Sequence, residues 1–382
     1  MVRWMAASRC VDGRAPGCHD TAVSYERANI TNLEPYVPGE QPRAAEPVKL
    51  NTNENPEPPA EAVMQAIREL PAESLRRYPP PTAADFRQTA AKAHGLSSEQ
   101  VMATNGGDEL LRLAMTVFTE PGAARGGLGL APPTYSLYQV LARIHDCSIT
   151  EVPRAADFAL PGDLATRWNE AGCNLAMLVN PHAPSGRLES VETVGQLADA
   201  FHGVLLVDEA YVDFARHDAL ALIRGQQARE NVLLLRSLSK GYSLAGLRFG
   251  YGLGAPALIA ALDKARDSYN TDALSQAAAT AALANREQAR PSWQRVAQER
   301  ERVTERLRAL GFTVPASESN FVLATPPEAG PDAASLYESL KAQAIFVRYF
   351  NKAKLADKLR ITIGRPEQND ALLAALERLV CG

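Results

Sequence analysis

The chain has 382 residues, of which 46% are apolar and 22% are charged, and its 40 Lys and Arg residues against 44 Asp and Glu residues give a net charge of −4. This composition excludes a disordered chain, which would have fewer apolar residues and a larger net charge. Because there is no surplus of basic residues, it also argues against a protein that binds nucleic acid. No apolar stretch approaches the roughly 18 residues that a membrane-spanning helix needs, so we expect no membrane span.

Residues 1–25 are predicted to form a flexible extension. Their apolar patch, Trp4–Ala7, is shorter than the apolar core of a secretory signal. The five cysteines contain no C-x-x-C motif and the six histidines contain no H-x-x-x-H motif, so no metal site is expected. The odd number and irregular spacing of the cysteines favour reduced thiols and a cytoplasmic location.

Residues 26–75 are predicted to form an N-terminal arm. Eleven of the 26 prolines lie between Pro35 and Pro81, and proline lacks a backbone donor and fixes φ, which disfavours regular helix and central strand. We therefore expect an extended segment, with one short helix at Ala60–Leu70, that packs on a smaller domain and on a partner subunit.

Residues 76–272 are predicted to form a large α/β domain. Short aliphatic runs alternate there with amphipathic helical stretches, which indicates a mostly parallel sheet flanked by helices. The runs are Val101–Thr104, Leu175–Val179, Val204–Val207 and Val232–Leu235. Polar residues follow them, among them Asn180, Asp208, Ser237 and Lys240, and we expect these at one edge of the sheet, where ligands bind.

Residues 273–382 are predicted to form a smaller α+β domain. The predicted helices are Ser275–Ala284, Gln294–Leu310, Asp332–Ala344 and Gln368–Leu379, and the predicted strands are Asn320–Ala324, Ile345–Phe350 and Leu359–Ile363. The final helix is expected to close this domain.

Lys240 is the first candidate catalytic residue. It follows a buried strand, so it can reach a pocket, where partial burial would lower its pKa and make the amine a nucleophile toward a carbonyl group. Ser237 and Ser239 lie close by in sequence and suit a phosphate. The alternative, an ordinary exposed lysine, stays open on this residue alone.

Asp208 and Tyr211 add to this pattern. A carboxylate at the end of a buried strand is costly without a cationic partner, and a protonated pyridine nitrogen would be one. Tyr211, three residues later, could reach a phenolic oxygen on the same ring. The alternatives are a helix-capping aspartate and a half-buried structural tyrosine.

Gly106-Gly107-Asp108 opens a helix directly after a strand, where backbone N–H groups can hold a phosphate. Tyr135 could stack on a flat ring. A nucleophilic lysine, a carboxylate for a ring nitrogen, an aromatic platform and a phosphate site together indicate pyridoxal phosphate held as a lysine Schiff base.

The sequence resembles the fold-type I, pyridoxal-phosphate-dependent aminotransferases, with the histidinol-phosphate aminotransferase group as the nearest match. The resemblance covers about residues 30 to 380. Its main motifs are Asp208-Glu209-Ala210-Tyr211, Ser237-Leu238-Ser239-Lys240 and Leu244-Ala245-Gly246-Leu247-Arg248, and further support comes from Leu50-Asn51-Thr52-Asn53-Glu54-Asn55-Pro56, Arg77-Tyr78-Pro79, Pro133-Thr134-Tyr135, Asp267-Ser268-Tyr269-Asn270, Ser319-Asn320-Phe321-Val322 and Leu359-Arg360-Ile361-Thr362-Ile363-Gly364.

The resemblance implies a role for each matching residue. Lys240 would attach the cofactor and move the substrate proton, Asp208 would pair with the pyridinium, Tyr211 would bond the phenolic oxygen, and Tyr135 would stack on the ring. The implied phosphate ligands are Gly107, Asp108, Ser237, Ser239 and Arg248, together with Tyr78 from the other subunit of a homodimer. The implied substrate residues are Tyr36, Asn53, Arg348 and Arg360.

One motif departs from the family pattern. The family usually reads N-P-N-N-P-T-G where this chain has Asn180-Pro181-His182-Ala183-Pro184-Ser185-Gly186. The asparagine that bonds the cofactor's phenolic oxygen is replaced by Ala183, so a donor is lost unless His182, Asn180 or a water compensates.

The resemblance implies transamination between histidinol phosphate and 2-oxoglutarate in histidine biosynthesis, with an amino donor and a keto acid as small-molecule partners. One alternative is an aromatic amino acid aminotransferase. A second is an enzyme similar to threonine-phosphate decarboxylase, which would release CO2. The non-enzyme alternative is a regulatory or binding module on the same fold, and a cofactor absorption band would argue against it.

Overall fold

The computed structural model describes residues 25–42 and 46–381, so nearly all of the extension predicted for residues 1–25 lies outside the described residues. The α-helices in this part of the chain are α1 (Ala28–Thr31), α2 (Glu61–Arg68), α3 (Ala72–Arg76), α4 (Ala84–His94), α5 (Gly106–Phe118), α6 (Leu137–Ile144), α7 (Leu164–Glu170), α8 (Val191–Ala200), α9 (Pro256–Asp263), α10 (Ala273–Ala284), α11 (Arg290–Ala309), α12 (Ala333–Ala342) and α13 (Pro366–Cys381).

The strands are β1 (Val48–Lys49), β2 (Val101–Thr104), β3 (Gly127–Leu130), β4 (Ile149–Glu151), β5 (Cys173–Val179), β6 (Val204–Asp208), β7 (Val232–Ser237), β8 (Gly250–Gly254), β9 (Phe321–Ala324), β10 (Ile345–Phe346), β11 (Arg348–Tyr349) and β12 (Leu359–Thr362). Seven of them form a central sheet in the order β2-β8-β7-β6-β5-β3-β4. β8 runs antiparallel to both of its neighbours, and the pairs from β7 to β4 are parallel.

The central sheet is buried on both faces, as its aliphatic strands predict. Leu206 and Leu233 pack on one face with residues of α5, α6 and α9. Leu205 and Val207 pack on the other face with residues of α4, α7, α8 and α10. Successive side chains of a strand point to opposite faces, so each strand contributes side chains to the cores on both faces. The polar residues that follow the strands lie beyond these two cores.

A second, antiparallel sheet of β11, β12 and β9 lies with α11, α12 and α13 around a separate core. β1 of the arm pairs in parallel with β10. The strand predicted over Ile345–Phe350 is therefore two strands, because the chain changes its pairing partner at the buried Val347, from β1 to β12.

The arm differs from its prediction in one respect. It contains α1 and α3 in addition to the predicted helix, which the structure ends slightly earlier, at Arg68. α3 begins directly after Pro71, whose fixed φ suits a residue preceding the first helical turn. The prolines therefore limit the length of helices in the arm rather than excluding them.

The predicted fold class, a large and mostly parallel sheet flanked by helices with a smaller α+β unit, is confirmed. The domain boundaries at residues 75 and 272 remain a prediction. In the part of the chain that the structure covers, no helix is both long enough and apolar enough to span a membrane.

Candidate active site

One cavity of about 540 Å³ lies where β5, β6 and β7 end. Its wall contains every residue predicted to bind cofactor or substrate except Tyr78, namely Tyr36, Asn53, Gly107, Asp108, Tyr135, Asp208, Tyr211, Ser237, Ser239, Lys240, Arg248, Arg348 and Arg360. Parallel strands bring their carboxyl ends to one edge of a sheet, which is why residues far apart in sequence meet here.

Lys240 follows β7 and lies half-buried in the cavity wall. Its Nζ donates a hydrogen bond to the backbone oxygen of Thr52 in the arm, at 2.9 Å. Burial, together with the positive charges of Arg360 and Arg248, lowers the pKa of Lys240 to about 8. An amine with this pKa is partly unprotonated near neutral pH, so it can attack a carbonyl group.

Asp208 is the last residue of β6 and is only 5% exposed. Its Oδ2 accepts a hydrogen bond from the Tyr138 hydroxyl at 2.7 Å, and its Oδ1 accepts one from the Ala210 N–H at 3.0 Å. Burial raises the pKa of Asp208 to about 6, although both hydrogen bonds act to lower it. No cationic side chain among the described residues forms an ion pair with this carboxylate, so it suits a cationic ligand.

Tyr211 is held by the arm and by the second sheet. Its hydroxyl accepts a hydrogen bond from Asn53 Nδ2 at 3.0 Å, and its ring meets Phe321 edge to face, with the centroids 5.0 Å apart. Burial raises the pKa of Tyr211, so the phenol stays protonated. Because Asn53 takes up an acceptor position, the O–H of Tyr211 remains available to donate into the cavity.

Asn53, predicted to contact the substrate, has both side-chain polar atoms engaged by the protein. Its Oδ1 accepts from the Thr362 hydroxyl at 3.0 Å, and its Nδ2 donates to Tyr211. Asn53 therefore supports the phenol of Tyr211 from within the cavity wall, and its contact with the substrate remains a prediction.

The N-terminus of α5 meets Arg248 at another wall of the cavity. Gly106 has φ +76°, and a Cβ there would lie only 2.9 Å from Nη2 of Arg248. The same Nη2 lies 3.4 Å from Oδ2 of Asp108. Glycine thus lets a guanidinium approach the free N–H groups of a helix end, an arrangement that binds anions.

Two hydroxyls extend this anion site. Ser237 Oγ accepts a hydrogen bond from the Ser239 N–H at 3.2 Å, and Ser239 Oγ lies 3.5 Å from Nη1 of Arg248. Both serines are largely buried and line the cavity. A guanidinium, two hydroxyls and helix N–H groups are together the donor set that a phosphate requires.

Tyr135 lies between two other tyrosines. Its ring centroid is 5.7 Å from that of Tyr36 and 5.5 Å from that of Tyr138, in both cases at a steep edge-to-face angle. These contacts fix the orientation of Tyr135 in the cavity wall.

The arginines come from the second sheet. Arg360 on β12 donates to the backbone oxygen of Asn51 at 2.9 Å, and its guanidinium lies 5.4 Å from the ring centroids of both Phe321 and Phe350. Its Nε is buried and has no hydrogen-bond partner among residues 25–42 and 46–381. The described residues thus leave this buried donor unsatisfied.

Arg348 on β11 makes only long hydrogen bonds, at 3.4 Å, to the backbone oxygens of Val37 and Pro38. Lys352 and Lys354 also line the cavity, although the sequence analysis did not select them. Their signal, two lysines just after Arg348 in the same loop, is hard to distinguish from ordinary surface charge.

Neither candidate replacement compensates for Ala183. His182 donates from Nε2 to the Pro133 backbone oxygen and accepts at Nδ1 from the Ser185 hydroxyl, both at 2.7 Å. The side chain of Asn180 bonds the backbone of Glu189 in both directions, at 2.9 and 3.3 Å. Both side chains are thus committed elsewhere.

Tyr78 lies outside the cavity and is 80% exposed. Its ring stacks on that of Tyr269, with the centroids 4.4 Å apart. Within one chain it therefore does not reach the anion site.

The residues of the cavity fit pyridoxal phosphate. A half-buried amine of lowered pKa can hold an aldehyde, the unpaired Asp208 carboxylate can hold a pyridinium, and the site at Arg248 can hold a phosphate. Tyr138, which bonds Asp208, was missed by the sequence analysis. Tyr138 follows Tyr135 by three residues, a spacing that places the two side chains on the same side of the start of α6. This spacing could have indicated that Tyr138 lies near the proposed stacking residue.

The chain is similar to known enzymes over most of its length. It is 42% identical to histidinol-phosphate aminotransferase 1 of Trichormus variabilis over 94% of this chain and 99% of that protein. It is 40% identical to the histidinol-phosphate aminotransferase of Synechocystis over 92% of this chain and 97% of that protein.

A solved structure of histidinol-phosphate aminotransferase from Sinorhizobium meliloti, in complex with pyridoxal-5'-phosphate, superimposes with a TM-score of 0.85 at 28% identity, over 94% of this chain and 99% of that one. The sequence profile of aminotransferase class I and II matches residues 45–376. This chain therefore belongs to the aminotransferase class I and II family.

Proposed function

We propose that this protein is a pyridoxal-phosphate-dependent aminotransferase that moves an amino group between histidinol phosphate and 2-oxoglutarate. The relatives that carry this name match nearly the whole chain at about 40% identity. One observation carries the proposal. The same cavity contains the Lys240 amine with its lowered pKa and, apart from Arg248 at the anion site, two further cations, Arg348 and Arg360.

Pyridoxal phosphate, when bound, supplies a carbonyl group for the amino group and a protonated ring that takes up electron density from the substrate carbon. Lys240 would hold the cofactor through its Nζ, and the same amine would carry the proton to and from the substrate carbon. Its hydrogen bond to Thr52 orients the amine within the cavity.

Asp208 keeps the ring nitrogen protonated, because a buried carboxylate strongly favours a cation beside it. Tyr211 donates its O–H to the phenolic oxygen and is held in place by Asn53. Both residues act by binding and orienting, so neither needs to change its protonation state during the reaction.

The charges in the cavity wall support a phosphorylated substrate. Apart from Lys240, which would hold the cofactor, five cationic side chains face two carboxylates there, the cations being Arg248, Arg348, Lys352, Lys354 and Arg360 and the carboxylates Asp108 and Asp208. The excess of three positive charges is about what two phosphate groups need, since each carries a charge of roughly −1.5 to −2 near pH 7. One of these phosphates belongs to the cofactor and the other to the substrate.

A substrate panel tests the proposal. The holoenzyme is assayed with 2-oxoglutarate and, in turn, histidinol phosphate, phenylalanine, tyrosine and threonine phosphate, with glutamate formation and CO2 release as readouts. We expect glutamate from histidinol phosphate and ping-pong kinetics, because the first half-reaction leaves the amino group on the enzyme and the second passes it to 2-oxoglutarate. The variant Lys240→Ala provides the blank.

Three outcomes would contradict the proposal. Turnover of phenylalanine or tyrosine without histidinol phosphate would make the protein an aromatic aminotransferase. Release of CO2 from threonine phosphate would assign it to decarboxylation. The absence of a borohydride-sensitive cofactor absorption band would favour a binding module.

We also propose a homodimer in which the partner subunit's Tyr78 completes the anion site. The exposed ring of Tyr78, its stacking on Tyr269 and the 69% exposure of Leu75 support this, because exposed apolar clusters mark interfaces. Mixing the variants Lys240→Ala and Tyr78→Ala tests it. Mixed dimers would regain one intact site each, so roughly a quarter of the wild-type activity is expected under random pairing, and no recovery would contradict the trans arrangement.

We further propose a cytoplasmic location. Cys147 and Cys173 are buried free thiols, which suit a reducing compartment. Fractionation with an antibody to the chain would test this, and recovery of the protein outside the cytoplasm would contradict it.

A further inference from the structure

Tyr138 is a buried tyrosine that no part of the proposed function uses. It lies on α6 and is fully buried. Its hydroxyl donates to Oδ2 of Asp208 at 2.7 Å, and its ring meets Tyr135 edge to face with the centroids 5.5 Å apart. One side chain thus contacts both the proposed partner of the ring nitrogen and the proposed stacking residue.

The charge state of Tyr138 is fixed by its surroundings. Burial raises its pKa well above the ordinary value, and the negative charge of Asp208 and the hydrogen bond to it add to this effect. Tyr138 is therefore a neutral donor at every pH at which the enzyme works. A neutral donor orients a carboxylate and withdraws some of its charge without cancelling that charge, as a cation would.

The other titratable groups around Asp208 do not replace this donor. Asp108 raises the pKa of Asp208, as a neighbouring negative charge should, whereas burial keeps the phenols of Tyr135 and Tyr211 protonated and therefore neutral. Within the described chain, the carboxylate of Asp208 accepts hydrogen bonds from the Tyr138 hydroxyl and from the backbone N–H of Ala210. Loss of the Tyr138 hydroxyl would leave one buried oxygen without its donor.

We propose that Tyr138 is a positioning residue of the aminotransferase reaction, which fixes the orientation and basicity of Asp208 toward the ring nitrogen of pyridoxal phosphate while it braces Tyr135. This inference rests on the cofactor part of the proposed function but not on the identity of the substrate. It assigns Tyr138 to the active site although it does not line the cavity.

The test compares Tyr138→Phe with Tyr251→Phe. Each variant removes one buried phenolic hydroxyl with a single side-chain partner, since the Tyr251 hydroxyl lies 2.9 Å from His94 Nε2 and Tyr251 does not line the cavity. The first readout is the pH titration of the bound cofactor's visible absorption without substrate. The second is kcat and KM for the amino donor.

With Tyr138→Phe we expect the absorption titration to shift to higher pH by roughly half a unit or more. Without the Tyr138 hydroxyl, Asp208 becomes more basic and draws the proton of the ring nitrogen toward itself. The ring then carries less positive charge, so the nitrogen that joins Lys240 to the cofactor holds its proton up to a higher pH. We expect kcat to fall about tenfold, the usual scale for a hydrogen bond to a charged group, with KM within about threefold. Tyr251→Phe should leave both the titration and kcat unchanged.

If Tyr138→Phe does not fold, 3-fluorotyrosine at position 138 keeps the test open. Its phenol is a stronger donor of nearly the same size, so the titration should shift to lower pH. A titration equal to that of the wild type in either form would overturn the role of Tyr138. Failure of the wild-type protein to bind pyridoxal phosphate would instead overturn the proposed function, so the two failures are distinguishable.

Discussion

The cavity has two ends that are built differently. The proposed cofactor end consists of Lys240, Asp208 and Tyr211, and each of these side chains has a hydrogen-bond partner within 3.0 Å. The proposed substrate end consists of Tyr36, Arg348 and Arg360. One nitrogen of Arg360, Nη2, donates to Asn51 at 2.9 Å, but its Nε has no partner in the described chain, and the hydrogen bonds of Arg348 to two carbonyls are long, at 3.4 Å. One end is therefore organised by the protein itself, whereas the other leaves donors without good partners, which suits an anion that arrives with the substrate.

The largest effect should follow from changing the cofactor end at Lys240. We expect Lys240→Ala to lower transamination by roughly 10³-fold or more, because both the attacking amine and the proton carrier are lost. Lys240→Arg is the matched control, since it keeps the positive charge but cannot attack a carbonyl group at neutral pH. Initial rates and the borohydride-sensitive absorption band measure the effect, and appreciable activity in either variant would show that the chemistry lies elsewhere.

A smaller and more selective effect is expected at the substrate end. Arg348→Gln should lower kcat/KM for histidinol phosphate by roughly 10- to 100-fold, the scale of a lost hydrogen bond to a charged group. The same variant should leave kcat/KM for histidinol, which lacks the phosphate, nearly unchanged. Steady-state kinetics with both substrates make the comparison, and an equal loss for both would mean that Arg348 shapes the wall rather than binds the phosphate.

The two ends are coupled through charge, which gives a pH prediction. The pKa of Lys240 is lowered to about 8, first by burial and then by Arg360 at the substrate end. Since the unprotonated amine attacks, attachment of pyridoxal phosphate to the cofactor-free protein should speed up roughly five- to tenfold from pH 7 to pH 9 and then level off. Stopped-flow absorbance measures this rate.

The variant Arg360→Gln provides the control for this pH dependence. Without the neighbouring positive charge, the midpoint of the rate profile should move to higher pH, because the protonated amine is less disfavoured. A wild-type midpoint near the ordinary lysine pKa would contradict the coupling.

The sequence predicted the aliphatic strands of the central sheet and missed the short strand β4 and the glycine-rich strands β3 and β8. β5, β6 and β7 are apolar on both faces and were predicted, whereas β3 and β8 were not. The glycines of those strands serve their neighbours, since a Cβ at Gly129 would lie 2.8 Å from the ring of Trp168, and one at Gly250 would lie 2.7 Å from the backbone of Gly106. Such close approaches depend on tertiary packing, which composition does not reveal.

The candidate site was predictable to a similar extent. Asp208 and Lys240 follow aliphatic strands directly, so a rule about strand ends was sufficient to place them together. Arg348 and Arg360 lie on short strands of the second sheet, and their approach to the same cavity followed only from the family resemblance. Tyr138 stayed hidden because a tyrosine on an amphipathic helix is usually a core residue.

The smallest predicted effect concerns Ala183, where the well-organised cofactor end lacks one donor. Ala183 lines the cavity and packs with Val179 and Phe321, near Tyr211. In Ala183→Asn we expect an amide donor at this wall and a roughly fivefold tighter binding of pyridoxal phosphate, the scale of one neutral hydrogen bond. The control Ala183→Leu adds a side chain with the same branching and the same number of heavy atoms but without a donor, and it should weaken binding because an apolar side chain there only crowds the wall. Equilibrium dialysis measures the affinity of each variant for pyridoxal phosphate. Equal affinities of the Asn and Leu variants would mean that the size of the side chain at position 183, rather than its hydrogen bonding, sets the affinity for the cofactor.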